Sequence, residues 1–276
     1  MDSKVYFDEE ILDLIGIDEV RKEEWDKYTF DKIGNVPRVT HILKQCRNND
    51  GLMQWAANVG RYKYQYYRDK ALSIGTIVHE LIDNYLCYNH PSPNLPKIDN
   101  INIDYQEYES DQRSSIFNSY TNFTIWEENL NKMGYYIEEV LTIEYPLVCP
   151  LFGGTCDAIF KINGIYYVID FKTSKSISPE YLLQVSAYMW VINNYYTDKL
   201  PHVSGAGIIR VDKSRLNVVD DLFLNEYDPY QKFMITSYQQ CFISYAEAFY
   251  RTISTDYITN TYKYNKGEVL NGYSNK

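Results

Sequence analysis

The hydrophobic positions of this chain change their spacing about halfway along, and the change separates a helical half from a sheet-forming half. In the first half apolar residues recur every three or four positions, the period of a helix packed on one face. This spacing predicts a helix over about 71–88, and a long polar helix is expected over about 108–132, ending at Gly134. Shorter helices are predicted from Thr40, expected as a cap, and after Gly51.

In the second half apolar residues alternate with polar ones or form unbroken runs, and both patterns are typical of β-strands. A helix interrupts them at about 179–196, with Ser178 as its cap and Pro179 in its first turn. The predicted strands cover about 135–148, 151–162, 166–173, 203–211 and 215–224. The aromatic side chains of a closing helix, predicted over about 228–254, are expected in the core: Phe233, Phe242, Tyr245 and Phe249.

This order of elements predicts an α/β (α+β) fold, a central mixed sheet flanked by helices with a helical N-terminal elaboration. With 276 residues, 45% of them hydrophobic, the chain can bury the core of one elaborated domain. Its parts are a mainly helical segment over 1–135, a sheet with one helix over 136–226, and a closing helix and tail over 227–276. Residues 1–36 are expected to form a short helix and a partly ordered lead-in.

Charged residues interrupt two of the apolar strands. Asp170 and Lys172 are two residues apart, so on a strand both side chains emerge from the same face. The dipeptide Asn163-Gly164 is a strong hairpin signal and joins this strand to one whose only acid is Asp157. Two carboxylates and an ammonium group therefore converge, and burying them is costly unless they are paired or bind a cation.

Two further residues can join this cluster. His79 lies beside the apolar stripe of the helix over 71–88, on one face with Gly75 and Asp83. A histidine in such a place is by itself more often a hydrogen-bonded structural residue than a ligand. Glu144 lies within a predicted strand, where it is either a solvated edge residue or part of the site. Carboxylates with a histidine form a hard, oxygen-rich site that suits Mg²⁺ or Mn²⁺.

Basic residues that can contact phosphate occur in two places. Residues 61–70 interleave four cations with four tyrosines, a composition that suits phosphate contact and base stacking. Within it Arg61, Lys63 and Arg68 are the candidates, and the alternative is a solvated helix face. Lys175 follows the strand that carries Lys172, which makes it a further candidate.

Net charge and cysteine content narrow the class of protein. The formal charge of −10 argues against a protein that coats nucleic acid by bulk attraction, so any such contact requires a local basic groove. The five cysteines contain no C-x-x-C pair, which favours free thiols in a reducing compartment over a disulfide framework, zinc site or iron–sulfur cluster. The acidic N-terminus and the absence of a long apolar run predict a soluble cytoplasmic protein that does not contact membranes.

Five short motifs follow one another along the chain: Gly75-x-x-x-His79, Glu144, Gly154-x-x-Asp157, Asp170-Phe171-Lys172-Thr173 and Gln184-x-x-x-Tyr188. In this order they resemble the RecB-type branch of the PD-(D/E)XK nuclease superfamily, with its restriction-endonuclease-like core. The resemblance is greatest to the single-domain exonucleases that include the mitochondrial genome maintenance exonuclease and the CRISPR-associated RecB-like exonucleases. It covers roughly residues 37–195, and the combined order is specific although each motif alone is not.

The resemblance implies roles for the residues of the central motifs. Asp157, Asp170 and His79 would be metal ligands, and the carbonyl of Phe171 would be another. Lys172 would be the catalytic lysine.

Other roles follow from the same resemblance. Glu144 matches an acid that is a ligand or supports the ligands. Gln184 and Tyr188 would order the site and contact DNA, although a Gln/Tyr pair four residues apart can also be a purely structural hydrogen bond. Some relatives add a four-cysteine iron–sulfur cluster, and because this chain has no C-terminal cysteine group we expect none here.

Residues and resemblance together predict a magnesium-dependent deoxyribonuclease that acts in DNA replication, recombination or repair. We expect it in the cytoplasm of a bacterium or of a phage-infected host cell. The resemblance alone implies an exonuclease that works on DNA from single-stranded or frayed ends. Three alternatives stay open: a non-cleaving nucleic-acid-binding module of nuclease fold, a structure-specific endonuclease, and a metal-dependent phosphoesterase acting on small nucleotides.

Overall fold

The computed structural model describes residues 32–33, 36–46, 50–98 and 108–272, so most of the lead-in predicted over 1–36 lies outside the described residues. The strands are β1 (Lys32–Ile33), β2 (Val36–Pro37), β3 (Ile137–Val148), β4 (Gly153–Ile162), β5 (Ile165–Lys172), β6 (Gly205–Val211) and β7 (Val219–Asn225). The helices are α1 (Val39–Cys46), α2 (Asp50–Val59), α3 (Arg61–Asn89), α4 (Ser110–Lys132), α5 (Pro179–Tyr195) and α6 (Pro229–Gly272).

The described elements confirm an α+β fold built on a five-stranded mixed sheet with the order β3-β4-β5-β6-β7. Neighbouring strands are antiparallel except β5 and β6, which are parallel and connected through α5. Between β4 and β5 the chain turns through Asn163 (φ 48°) and Gly164 (φ 76°), as a two-residue hairpin of the predicted kind requires.

Helices cover both faces of the sheet and divide the core in two. One face packs against α1, α5 and α6, in a cluster that contains Phe152, Val185 and Phe242. The other face packs against α3 and α4, in a cluster that contains Val78 and Phe123. Among the described helices none has the length and apolar character needed to cross a bilayer.

The long helices differ from their predictions in extent. α3 begins at Arg61, so the basic and aromatic run over 61–70 is its first part rather than a separate segment. α6 extends to Gly272. Thr40 is not a cap, because α1 already begins at Val39 and the Arg38 carbonyl accepts the first helical hydrogen bonds.

Phe233 was predicted in the core and is instead 67% exposed. α6 buries Ile235, Phe242, Ala246 and Phe249, which recur with the period of one helix face. Phe233 lies two residues before Ile235, and two residues correspond to about 200° of rotation on a helix. Its side chain therefore points away from the sheet.

Candidate metal centre

The centre lies where β4 and β5 stop pairing through their backbones. Their ladder ends at the pair Ala158 and Ile169, and the next residues are Asp157 on β4 and Asp170 on β5. There the Phe171 amide donates to Asp157 Oδ2 over 2.7 Å. A side-chain carboxylate thus takes the hydrogen bond that a backbone carbonyl would accept in a continued ladder, and this holds Asp157 at the opening between the strands.

Helix α3 brings His79 to this opening from the face of the sheet that packs against α3 and α4. Its Nδ1 lies 3.7 Å from Asp157 Oδ2 and 4.0 Å from Glu144 Oε1. Its Nε2 lies 3.1 Å from the Phe171 carbonyl, and the ring meets that of Phe171 edge to face. When Nε2–H donates to this carbonyl, Nδ1 faces the two acids, the orientation that a ligating histidine needs.

One donor atom each from His79, Glu144 and Asp157 lies within 4.8 Å of the others. Two ligands on opposite sides of one Mg²⁺ are at most about 4.2 Å apart, twice the usual ligand distance. The histidine-to-acid distances of 3.7 and 4.0 Å fall inside this span. These two distances are compatible with His79 and either acid binding one hard divalent cation, and the imidazole and Asp157 have hydrogen-bonded support.

Asp170 and Lys172 form a buried ion pair beside these ligands. The distance from Lys172 Nζ to Asp170 Oδ2 is 2.5 Å, and the ammonium also lies 5.0 Å from the centre of the Tyr181 ring. Asp170 is 1% exposed, and neither of its oxygens accepts a well-aligned hydrogen bond from the described residues. A carboxylate with unused lone pairs in such a place can still take a cation.

The burial of this ion pair shifts the pKa values of both side chains. Desolvation, opposed by Lys172, raises the pKa of Asp170 to about 6. Burial also acts to lower the pKa of Lys172, but the charges of Asp170 and Asp157 outweigh it, and the net direction is upward. Lys172 therefore keeps its proton at neutral pH.

His79 is protonated at neutral pH when no cation is bound. Burial alone would lower the pKa of the imidazole, but the charge of Asp157 and the nearby carboxylate of Glu144 raise it to about 9. The imidazolium then supplies positive charge to the acids around it. A divalent cation bound by Nδ1 has to displace this proton.

Glu144 has an unusual backbone. Its φ is 44°, in the left-handed region, although its neighbours Ile143 and Tyr145 stay paired with β4. For a residue with a Cβ this conformation costs about 1–2 kcal/mol. Such strain tends to occur at functional sites, and here it accompanies the carboxylate that approaches His79.

Asp83 belongs to the same region, although no motif in the sequence marks it as a site residue. It lies one helical turn after His79, and its Oδ1 is buried without a hydrogen-bond partner among the described residues. Burial, followed by the charges of Glu144 and Asp157, raises the pKa of its carboxyl to about 7. The signal available in the sequence was its four-residue spacing from His79.

Gln184 and Tyr188 pack beneath the centre on α5. Both side chains are buried, and Gln184 Nε2 donates to the Tyr188 hydroxyl over 3.4 Å. The Tyr188 ring lies against Gly154, where an added Cβ would come within 2.8 Å of the ring carbon Cζ. A contact of either side chain with DNA stays a prediction. At Gly75, by contrast, an added Cβ would meet only Thr173 Oγ1, at 3.8 Å.

The predicted phosphate-binding residues lie outside the centre. Arg61 and Lys63 are exposed in the first turn of α3, and Arg61 precedes His79 by about 27 Å at 1.5 Å per residue. Arg68 is exposed and pairs with its neighbour Asp69 over 2.8 Å. These side chains can reach a polymer that extends along α3, but not the group that reacts. Lys175 is exposed just beyond β5.

No family model and no curated protein matches the chain. A similar solved structure is the crystal structure of SSO0001, which is 15% identical, with 84% of each chain covered and a TM-score of 0.27. A likeness at this level carries no argument about fold or activity.

Proposed function

We propose that the chain is a metal-dependent deoxyribonuclease that hydrolyses phosphodiester bonds as an exonuclease, from single-stranded or frayed DNA ends. The observation that carries the proposal is one cluster: donor atoms of His79, Glu144 and Asp157 within 4.8 Å, beside the buried Asp170–Lys172 pair. We place it in DNA replication, recombination or repair and in a reducing cytoplasm. Free cysteines at positions 87, 149, 156 and 241 are compatible with that compartment.

His79 Nδ1, Glu144, Asp157 and Asp170 would hold Mg²⁺ or Mn²⁺, and the Phe171 carbonyl both supports His79 and offers a further oxygen. When bound, such an ion supplies a nucleophile from water near neutral pH and offsets negative charge on the attacked phosphate. The hydrogen bond from the Phe171 amide keeps Asp157 in place for this task.

Lys172 would stabilise charge rather than abstract a proton. Because its pKa is raised, its ammonium is protonated at neutral pH, so it can hold a phosphate oxygen or donate a proton to the leaving oxygen. Its contacts with Asp170 and the Tyr181 ring limit the positions that the ammonium can take. Preorganised charge of this kind is a large contribution to phosphoryl transfer.

A non-cleaving nucleic-acid-binding module is the competing proposal. The charges of the centre are compatible with it: the raised pKa values of His79 and Lys172 favour their protonated forms, which offset the acids around them when no cation is bound. Asp83 Oδ1 and Asp170 Oδ1 argue the other way: both are buried without a hydrogen-bond partner among the described residues, and a purely structural ion-pair cluster would satisfy them.

Cleavage of end-labelled DNA distinguishes these proposals. Linear single strands, blunt duplexes and closed single-stranded circles are incubated with the protein in Mg²⁺ or in a chelator, with Lys172→Met as the matched inactive variant. We expect Mg²⁺-dependent release of short products from linear strands only. Cutting of closed circles would replace the exonuclease with an endonuclease, and binding without cutting would favour the module.

A further inference from the structure

Two lysines lie in neighbouring loops at the edge of the sheet next to Lys172. Lys172 and Arg210 are register partners in the parallel pair of β5 and β6. Lys175 comes three residues after Lys172 and Lys213 three residues after Arg210, in the loops that leave the sheet there. The carboxyl ends of parallel strands meet at one edge, which is where open α/β sheets bind ligands.

A buried arginine ties these two loops together. Arg210 is 2% exposed, and its Nη1 donates to the Ser174 carbonyl over 3.0 Å, so β6 holds the loop that contains Lys175. The same guanidinium pairs with Asp220 Oδ2 at 2.6 Å and with Asp212 Oδ2 at 3.3 Å. The positive charge of Arg210 is thereby balanced by two carboxylates of the protein itself.

Helix α4 fixes the loop that contains Lys213. Asn118 Nδ2 donates to the Lys213 carbonyl over 3.3 Å, and Asn122 Nδ2 donates to the carbonyls of Asp212 and Arg215, each over 2.7 Å. The Asp212 carboxylate also pairs with the Arg215 guanidinium over 3.0 Å. The backbone around Lys213 is therefore held by hydrogen bonds from α4 and by an ion pair within its own loop.

Among the described residues neither lysine forms an ion pair, although the charge of Asp212 acts on Lys213 and favours its protonated form. The ion pairs of this region run from Arg210 and Arg215 to Asp212 and Asp220. Burial, with the nearby charge of Lys175, lowers the pKa of Lys213. Two ammonium groups held together on rigid loops are destabilised by their repulsion, and a bound anion relieves it.

We infer that Lys175 and Lys213 together bind a phosphate group of the nucleic-acid strand, next to the bond that is cut. This inference rests on the proposed function for the position of the strand. The group is either an internal phosphodiester or a terminal phosphate, and both offer the anionic oxygens that two ammonium groups recognise. Lys213 was not a candidate in the sequence analysis, because nothing near it in sequence marks it.

Binding of a fluorescent single strand in Ca²⁺, measured by anisotropy at several salt concentrations, tests the inference. We expect Lys213→Gln and Lys175→Gln each to weaken binding about 5–10-fold and to reduce the salt slope by about 0.7, the value for one phosphate contact on a single strand. Lys199→Gln is the control, since it removes the same charge from the loop before β6, at the opposite edge of the sheet. Equal affinity and slope in all three variants would overturn the inference.

Strands with a 5′-phosphate, a 3′-phosphate, hydroxyl ends or no ends identify the group. A loss confined to one phosphorylated end assigns a terminal phosphate, and a loss shared by all strands, circles included, assigns an internal phosphodiester. Acetylation of Lys213, followed by mass spectrometry, separates this inference from the nuclease proposal. Protection by a strand in a protein that cuts nothing would support the site and reject the nuclease, whereas cutting without protection would do the reverse.

Discussion

At the scale of single residues, Asp170 and Lys172 form a largely buried ion pair in which each charge depends on the other. Both side chains are largely withdrawn from water, and each stabilises the charged form of the other. Removing one partner of a buried ion pair typically costs about 3–5 kcal/mol, because an uncompensated charge remains. Removing both charges costs less.

We therefore expect Lys172→Met to lower the free energy of unfolding by about 3 kcal/mol or more, and Asp170→Asn/Lys172→Met to recover part of that loss. Urea unfolding of the wild-type protein, of the single variants Asp170→Asn and Lys172→Met, and of the double variant measures this coupling. Both variants that lack Lys172 should be inactive. A double variant less stable than either single variant would show that the two side chains do not interact in this way.

Protonation of His79 predicts a pH dependence with opposite signs for stability and metal affinity. Its pKa rises from 6.5 to about 9 in the folded protein, so the stabilisation by the imidazolium is complete below about pH 6.5 and is lost as the pH rises through about 9. A cation has to displace the same proton, so metal affinity should rise about tenfold per pH unit below 9.

Titration calorimetry with Mn²⁺ at pH 6, 7 and 8, repeated in buffers of different ionisation enthalpy, measures the affinity and the number of protons released. We expect about one proton per ion near pH 8 and more near pH 6, where the raised pKa values of Asp83 (about 7) and Asp170 (about 6) also contribute. Affinity independent of pH would rule out His79 as a ligand.

The individual residues of the centre were predictable to different degrees. Asp157, Asp170 and Lys172 could be placed together from strand periodicity and a hairpin turn, and the structure confirms that they lie on neighbouring strands. His79 comes from a distant helix, and no local spacing relates it to the acids. Asp83 was missed because an acid one turn from a histidine is common on solvated helices.

At the scale of secondary-structure elements, Glu144 in β3 has a backbone conformation that lowers stability and a side chain that belongs to the candidate centre. Glu144 has φ 44°, which glycine adopts without a Cβ penalty. The same substitution removes the carboxylate that approaches His79. Stability and activity should therefore change in opposite directions.

We expect Glu144→Gly to raise the free energy of unfolding by up to about 1 kcal/mol, since relief of a cost of 1–2 kcal/mol exceeds the entropic penalty of glycine. Glu144→Gln is the matched control, because it loses the charge but keeps the strained backbone. Both variants should bind Mn²⁺ more weakly than the wild-type protein. If thermal unfolding ranks Glu144→Gly below Glu144→Gln, the backbone is not strained at this residue.

Two glycines near the centre should respond oppositely to the same substitution. Gly154→Ala would force its Cβ into the Tyr188 ring and should destabilise the protein by about 1–3 kcal/mol. Gly75→Ala places its Cβ in ordinary van der Waals contact with Thr173 Oγ1 and should stabilise the protein by about 0.5–1 kcal/mol. Chemical denaturation of both variants measures the difference. Equal losses at the two positions would mean that the room beside Gly75 is not free.

Element boundaries show what local pattern can and cannot predict. The cap at Ser178 and the turn at Asn163-Gly164 are confirmed, because side-chain and backbone geometry within a few residues decides them. Phe233 was misplaced because its burial depends on which face of α6 meets the sheet. That choice is made by tertiary packing, which a hydrophobic residue alone does not indicate.

At the scale of the whole molecule, the centre combines two parts of the chain that are far apart in sequence. α3 supplies His79 and Asp83 from one side of the sheet, and the diverging ends of β4 and β5 supply Asp157 and Asp170. The fold class followed from the order of helical and strand periods. The shared edge of Lys175 and Lys213 did not, because it depends on the parallel register of β5 with β6.

Because the net charge is −10, any contact with DNA depends on where cationic side chains are grouped on the surface. A protein with this charge repels a polyanion except where cations are grouped. The exposed arginines of α3 and the lysines beyond β5 and β6 are such groups. Binding should therefore weaken steeply with added salt.

The most direct test of the central claim is the single-turnover cleavage rate of a linear, end-labelled single strand as Mg²⁺ is titrated, for the wild-type protein and Asp157→Asn. We predict a rate that rises to saturation with Mg²⁺ in the wild-type protein and is lower by about 100-fold or more in the variant, as expected when catalytic charge stabilisation is lost. Equal rates in the two proteins, or cleavage that does not depend on a divalent cation, would contradict a metal centre at this place.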